Sequence, residues 1–568
     1  MNDIRRTILW VIFGFSMVLL WDQWQVHNGN KATFFPTPAQ QAKVNSPAAS
    51  DVSQPTGVPT AVAPQGPATV PLVEARSASK EWVEVETDLV KLSFDTEGGT
   101  LSRVEFLKHA DELKPGSNVV LLDDSKDRIY TAQTGLISSV AGVALPTHKT
   151  PMTVRPGVRK LKDGTNELQV TFESAAQNGV KLVKTYTLKR GAYDMAVKHD
   201  IVNTGTQDIA PQLYFQLVRD GNKLAGESSF YSTFTGPAVY TEAKKYQKVE
   251  FADIKKKKFD IEKQSPTGYI AMVQHYFASA WILPDGMNRN ISMDAVDIGA
   301  SMADCCYRAT LIAPLEAIKP GQTHSVTATL YAGPQEENKL EALYPGLELV
   351  KDYGWLTILA KPLFWLLDQL NSILKNWGWS IVALVVLLKA GFYWLNAHAY
   401  QSMAKMKAIN PRIMEMRERL KDNPQQMQME MMKIYREEKV NPMGGCLPIA
   451  IQIPVFIALY WVLLSTVEIR NAPWVGWIHD LSAPDPYFIL PLVMTLTTLL
   501  QTALNPAPPD PMQAKMMWIM PLAFSVMFFF FPAGLVLYWI TNNVLSIAQQ
   551  WLINVRMGVP PQFNLPKF

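Results

Sequence analysis

The last third of the chain is dominated by apolar runs. Residues 377–395, 446–464, 488–504, 516–531 and 535–553 are each 16 to 19 residues long, and together they hold one charged side chain, Lys389. A helix needs roughly 20 apolar residues to cross a bilayer. With no water to satisfy backbone groups there, helical spans are the expected solution. Pro532-Ala533-Gly534 divides the last two runs, whose combined length exceeds one span, so a tight turn makes them two. Another apolar run, Ile8 to Trp21, follows Arg5 and Arg6 and is not followed by an A-x-A cleavage pattern. That favours an uncleaved anchor over residues 1–25 rather than a removed signal peptide, and brings the expected spans to six.

Loop charge predicts the orientation. The stretch 396–442 carries nine Lys or Arg, residues 465–487 carry only Arg470, and the tail 556–568 carries Arg556 and Lys567 without an acid. Positive loops stay in the cytoplasm. Both termini and the basic loop are thus expected inside, and the remaining large segment outside. A net charge of +3 gives no field that would favour nucleic acid.

Between anchor and core the composition changes twice. Residues 26–79 are rich in Pro, Ala, Thr, Gln and Ser, a composition unable to bury enough apolar surface to fold, and are expected to be a disordered tether. From about 80 to 335 the pattern has period two: Val90, Leu92 and Phe94, then Leu168, Val170 and Phe172 after an Asp163-Gly164 turn, then Val326, Ala328 and Leu330. This predicts a large all-β domain of sandwich type. The Lys255–Lys258 run reads as a solvated loop or charged edge. Cys305 and Cys306 are adjacent, a strained spacing for a bridge, and are expected as free thiols. Residues 336–375 form a linker and an amphipathic helix, about Leu356 to Leu374, lying in the membrane interface. The core then spans 376–555.

Within the core, residues 399–441 predict a helical hairpin. Asn410-Pro411 and Asn423-Pro424 each place a capping Asn before a Pro at the first helical position. Ile413, Met416 and Leu420 share one helical face, and Met427, Met431 and Ile434 another. The hairpin holds Met403, Met406, Met414, Met416, Met427, Met429, Met431 and Met432. Met is flexible and polarizable and suits surfaces that bind many apolar partners, although hairpin packing accounts for some of these residues.

No catalytic signature is present: no H-E-x-x-H, G-x-S-x-G, P-loop or C-x-x-C. Neither an enzyme activity nor a cofactor is expected. The informative chemistry is polarity inside the spans. A lysine at mid-membrane costs about 2.5–3.5 kcal/mol on insertion scales and faces water or a partner unless it snorkels. Tyr538, Asn542, Ser546 and Gln549 fall on one face of the last span, Thr495, Thr498, Thr502 and Asn505 on one face of an earlier one, and Gln452 lies in a third. Helix–helix hydrogen bonding would also explain such stripes. No acid within the spans offers Lys389 an ion-pair partner, which suggests a hydrated groove containing Lys389, Gln452, Tyr538, Asn542 and Ser546.

Several motifs resemble the YidC/Oxa/Alb insertase family: Tyr400-Gln-Ser-Met-Ala-Lys-Met, Glu438-Lys-Val-Asn-Pro-Met-Gly-Gly-Cys446-Leu-Pro-Ile, Trp477-Ile-His-Asp-Leu-Ser482, Asp510-Pro-Met-Gln513 and Phe531-Pro-Ala-Gly-Leu-Val-Leu-Tyr538. An anchor followed by a large external domain is similar to the family's Gram-negative form. The resemblance implies a multi-pass inner-membrane protein with a periplasmic β-supersandwich and a five-helix core around a hydrophilic groove. It also implies insertion and chaperoning of nascent membrane proteins, alone or beside the Sec translocon. Lys389 maps to a groove position where many members carry Arg. Met403, Met406, Met427, Met431 and Asp510 map to implied contacts with substrate, ribosome and targeting factors. The other implied partners are the Sec accessory proteins and membrane lipid. A rival from another class, a small-solute transporter, would favour inverted repeats, and none is visible between the spans. A second rival is a cell-envelope enzyme whose β domain binds sugars, but that domain shows no clustered catalytic carboxylates.

Overall fold

The computed structural model describes residues 81–556, 558 and 563, apart from 112–113, 115, 126, 141, 224–232, 297–304, 421–422, 439–446 and 506–510. The expected anchor, the tether, nearly all of the tail and Asp510 lie outside the described residues. The chain divides into two compact units. One runs to Gly354 and includes Ser465–Glu468, and the other holds Trp355–Leu464 and everything from Ile469 onward.

The first unit is a sandwich of two antiparallel sheets, with ten and nine strands among the described residues. Alternation builds its layers. Glu167–Ser174 buries Leu168, Val170, Phe172 and Ser174 and turns Glu167, Gln169, Thr171 and Glu173 outward. Val90–Asp95 and Thr323–Pro334 likewise bury the apolar residues expected of them. Pro211–Arg219, between Ile129–Ser138 and Tyr307–Pro314, is buried along its whole length, as a strand covered on both faces must be. The inner faces share one core in which the Phe94 ring lies 5.5 Å from Phe172 and 4.7 Å from Tyr186. Gly98 takes a left-handed φ of 71°, and a Cβ there would lie 2.2 Å from the His148 carbonyl oxygen. The lysine run is exposed, as expected, but Lys255 and Lys256 end a short helix, Phe251–Lys256, rather than lying in a loop or edge strand.

The core contains an unexpected cation. Lys184 is wholly buried and donates to the carbonyls of Gly98 and Thr134, both at 2.7 Å, tying one sheet to the other. Burial pushes its ammonium down to about 7. His199, 2.9 Å from the Thr134 hydroxyl, and His148, 2.6 Å from the Tyr214 hydroxyl, are both pushed down to about 3, chiefly by burial. Cys305 and Cys306, expected as free thiols, lie with their sulfurs side by side. A cis peptide brings their Cα atoms to 3.0 Å, closer than the ~3.8 Å of a trans link.

The second unit is helical. Its elements are α1 (Thr357–Leu374), α2 (Trp377–Gly391), α3 (Tyr393–Arg419), α4 (Pro424–Glu437), α5 (Leu447–Ser465), α6 (Ile489–Leu504), α7 (Pro511–Met527) and α8 (Ala533–Arg556). The amphipathic helix appears as α1, with Ile358, Trp365 and Ile373 exposed. The break before Ala533 separates α7 from α8, as expected. Among the described residues no single helix is long and apolar enough to cross a membrane. Trp377–Gly391 and Tyr393–Met406, bent by 68° where they meet, reach that length together. The bend was not expected, because the apolar run continues through Phe392 to Leu395.

The hairpin also departs from expectation at one end. Asn423 caps α4, accepting from the Gln426 N–H at 3.2 Å with Pro424 in the first turn. Asn410-Pro411, by contrast, starts nothing, because Pro411 lies inside the continuous α3. Ile409 before it and Ile413 and Met416 after it pack into one small core with Ile434, and that packing carries the helix through the proline.

Candidate functional site: a polar cavity among four helices

α2, α3, α5 and α8 surround a small, open cavity of about 20 Å³, room for about one water. Its lining is Val385, Leu388 and Lys389 from α2, Phe392 at the bend, Asn396 from α3, Gln452 and Val455 from α5, and Tyr538 and Asn542 from α8. Four of the five expected groove residues therefore converge on one space. The fifth, Ser546, is buried beside it and anchors the cation: the Lys389 ammonium donates to the Ser546 hydroxyl at 2.7 Å, which donates to the Asn542 carbonyl at 2.7 Å. Helical spacing produces this arrangement, because Tyr538, Asn542 and Ser546 recur every four residues and face one way. α2, α5, α6, α7 and α8 contain no Asp or Glu, so Lys389 meets a hydroxyl rather than a carboxylate.

α8 carries a second polar face. Asn543 donates to the Thr498 and Thr497 hydroxyls at 2.9 and 3.2 Å, and Gln550 to Asn505 Oδ1 and the Leu504 carbonyl at 3.2 and 3.3 Å. The Thr495, Thr498 and Thr502 hydroxyls each donate to the carbonyl four residues earlier. The α6 stripe thus joins helix to helix, and it does not line the cavity. Gln549, expected on the groove face, donates weakly to the Tyr393 carbonyl at 3.4 Å, just past the bend.

The loop between α5 and α6 is rigidly built. Buried Asp485 accepts from the Trp477 indole at 2.9 Å and from the Tyr487 and Leu490 N–H groups at 3.0 and 2.7 Å. The Ala533 and Gly534 N–H groups donate to the Ala483 and Leu481 carbonyls, fixing the start of α8 to the loop. Trp474 packs so closely on Gly378 that a Cβ there would lie 2.2 Å from the indole. The cavity residues of α2 and α5 lie in the second half of the one and the first half of the other, away from this loop.

The hairpin methionines divide into two groups. Met406, Met427 and Met431 pack, partly buried, against Ile409, Ile413, Met416 and Ile434. Met403 is also partly buried. The outward-facing ones are Met414, Met429 and Met432, at 54%, 68% and 46% exposure. Arg412–Glu437, Arg412–Glu438 and Arg419–Glu430 ion pairs at 3.2, 3.0 and 2.6 Å link α3 to the end of the hairpin. Asn396 was not expected in the cavity. It follows the apolar run directly and reads as the first loop residue, and only the bend turns it inward. Among the described residues no cluster of His, Cys, Asp and Glu could hold a metal.

Comparison with known proteins fits both units. Residues 82–366 match the YidC periplasmic domain family, and residues 369–559 the 60Kd inner membrane protein family. The membrane protein insertase YidC of Cupriavidus taiwanensis is 54% identical, covering 98% of either chain. That of Janthinobacterium sp. (strain Marseille) is 50% identical over 98% of this chain and 100% of its own. A crystal structure described as an active YidC insertase with its first transmembrane domain resolved aligns with 83% of this chain and 92% of its own, at 19% identity and a TM-score of 0.38. With both family regions in order and half its residues shared with these relatives along nearly its full length, the chain belongs to the YidC family.

Proposed function

We propose that the chain is a membrane protein insertase and chaperone of the inner membrane, working alone or with the Sec translocon. One observation carries this reading: a lysine, three amides and a phenol line one cavity, and the apolar helices α2, α5 and α8 that form most of its wall hold no acid to neutralise the cation. Such a site lowers the desolvation penalty of a short hydrophilic segment while its apolar neighbour moves into lipid. No nucleotide site is needed, since apolar transfer at about 25 cal/mol per Å² supplies driving force. In this reading the chain crosses the membrane several times, with both termini cytoplasmic and the sandwich periplasmic. The hairpin Met residues and Asp510 meet the nascent chain, the ribosome and targeting factors. Two readings from other classes have less support. The cavity is lined by single helices without paired repeats, unlike a transporter's midplane site, and the sequence of the sandwich offers no clustered catalytic carboxylates.

The test pairs two measurements on reconstituted protein. Insertion is scored for substrates with acidic and with uncharged outer segments, using Lys389, Lys389→Arg, Lys389→Ala and Lys389→Glu. Labelling of Lys389→Cys by a small polar thiol reagent is measured in parallel. The groove reading expects Arg to be tolerated, Ala and Glu to impair acidic segments most, and the cysteine to react. Equal insertion by all four proteins together with an unreactive cysteine would eliminate it.

A further inference from the structure

The cavity contains a donor whose role is distinct from that of Lys389. Asn396 lies in the first turn of α3, its backbone N–H donating to the Phe392 carbonyl at 3.0 Å. Its side chain lines the cavity at 2% exposure, and its amide nitrogen is buried without a hydrogen-bond partner among the described residues. The wall around it offers little. Val385, Leu388, Phe392 and Val455 have no side-chain acceptor, and the polar groups of Gln452, Tyr538 and Asn542 line the same space without bonding to it. A buried N–H with no acceptor destabilises the protein, and a leucine at this position would not carry that penalty. The 68° bend brings the group into the cavity, because Asn396 lies beyond the break, seven residues after Lys389.

A charged donor and a neutral donor in one cavity select for different features. Lys389 favours a carboxylate. A neutral amide gains little from charge but pairs well with a peptide carbonyl, which every extended segment presents whatever its side chains. We propose that Asn396 is a positioning residue that donates its amide N–H to a backbone carbonyl of the hydrophilic segment passing through the cavity. Its contribution is therefore independent of sequence, where that of Lys389 depends on charge. The inference rests on the insertase reading above, and wild-type insertion of an acidic substrate, sensitive to Lys389→Ala, is the control that tests that reading separately.

The experiment uses the full-length protein in proteoliposomes with two model substrates that differ only in having acidic or uncharged outer segments. Asn396→Leu keeps the branched heavy-atom shape, with bulkier methyl groups, and removes the donor. It is expected to raise the thermal midpoint in detergent, by relieving the unpaired amide, while lowering insertion of both substrates to a similar degree, about five- to tenfold. At 1.36 kcal/mol per factor of ten that fold-change corresponds to ~1–1.4 kcal/mol, the size of one hydrogen bond. Asn396→Ser restores a donor and should recover part of the loss. Asn396→Cys should form a disulfide with single cysteines placed along a stalled outer segment. A residue that only shapes the bend would move stability and insertion in the same direction, and serine would not rescue. The proposal is overturned if Asn396→Leu inserts both substrates at the wild-type rate while the Lys389→Ala control fails on acidic ones. It is equally overturned if the leucine variant loses only acidic substrates.

Discussion

Replacing Lys184 with Met removes the buried cation of the sandwich and leaves a signature in pH. The ammonium falls from an ordinary 10.5 to about 7 on burial, which at 1.36 kcal/mol per pH unit is roughly 5 kcal/mol of destabilisation. The sign follows from linkage. Between pH 7 and 10.5 the unfolded chain keeps this proton and the folded one releases it, so stability rises with pH across that window and the full penalty applies below it. Methionine removes the penalty but deprives the Gly98 and Thr134 carbonyls of their donor. At about 1–3 kcal/mol for each orphaned group, most of the gain is cancelled near pH 7. The absolute change at neutral pH is thus small, and the informative quantity is the slope. Wild type should gain about 3 kcal/mol relative to Lys184→Met between pH 7 and 9.5. Urea midpoints from a brief protease pulse on the full-length protein, scored by survival of the intact sandwich fragment, measure this at each pH. Parallel pH profiles for the two proteins would show that Lys184 keeps its ordinary affinity for a proton and refute the argument.

Two further outcomes follow from packing. Met414, Met429 and Met432 changed together to Ser should leave hairpin stability within about 0.5 kcal/mol per site yet reduce crosslinking of nascent apolar segments to the hairpin. The same change at Met406, Met427 and Met431 should loosen the hairpin to proteolysis, because those side chains fill its core. Gly378→Val places a branched carbon in the Trp474 ring, a strain of about 1–3 kcal/mol, and should appear as a lower thermal midpoint and earlier cleavage in 465–487.

What the sequence made legible depends on periodicity. Alternation identified Leu168, Val170 and Phe172 as an inward face because a sandwich strand obeys a strict period of two. By the same rule Val180, Leu182, Lys184, Tyr186 and Leu188 share an inward face. The lysine in that row was the available sign of a buried cation. The groove residues of α8 were legible because their spacing is helical. Helical spacing likewise placed Met416, Met427, Met431 and Ile434 on the faces that pack in the hairpin, whereas nothing in it singled out Met406 as packed. The bend at Phe392 was also hidden, because hydrophobicity runs through it without interruption. Asn396 was missed for the same reason. Pro411 misled because a local capping signal was outweighed by tertiary contacts on either side of it.

The two polar faces of α8 have a consequence for how the cavity persists. In a bilayer, apolar side chains gain almost nothing by choosing a protein neighbour over lipid, so a purely greasy helix is free to rotate about its own axis. Asn543 and Gln550 on one side, and Ser546 on the other through its bond from Lys389, key α8 like a shaft with two flats. Turning it by a single residue, about 100°, would break both sets of bonds at once. The cavity wall is therefore held in place by the seam behind it, and under the function proposed above it would meet successive segments in one arrangement.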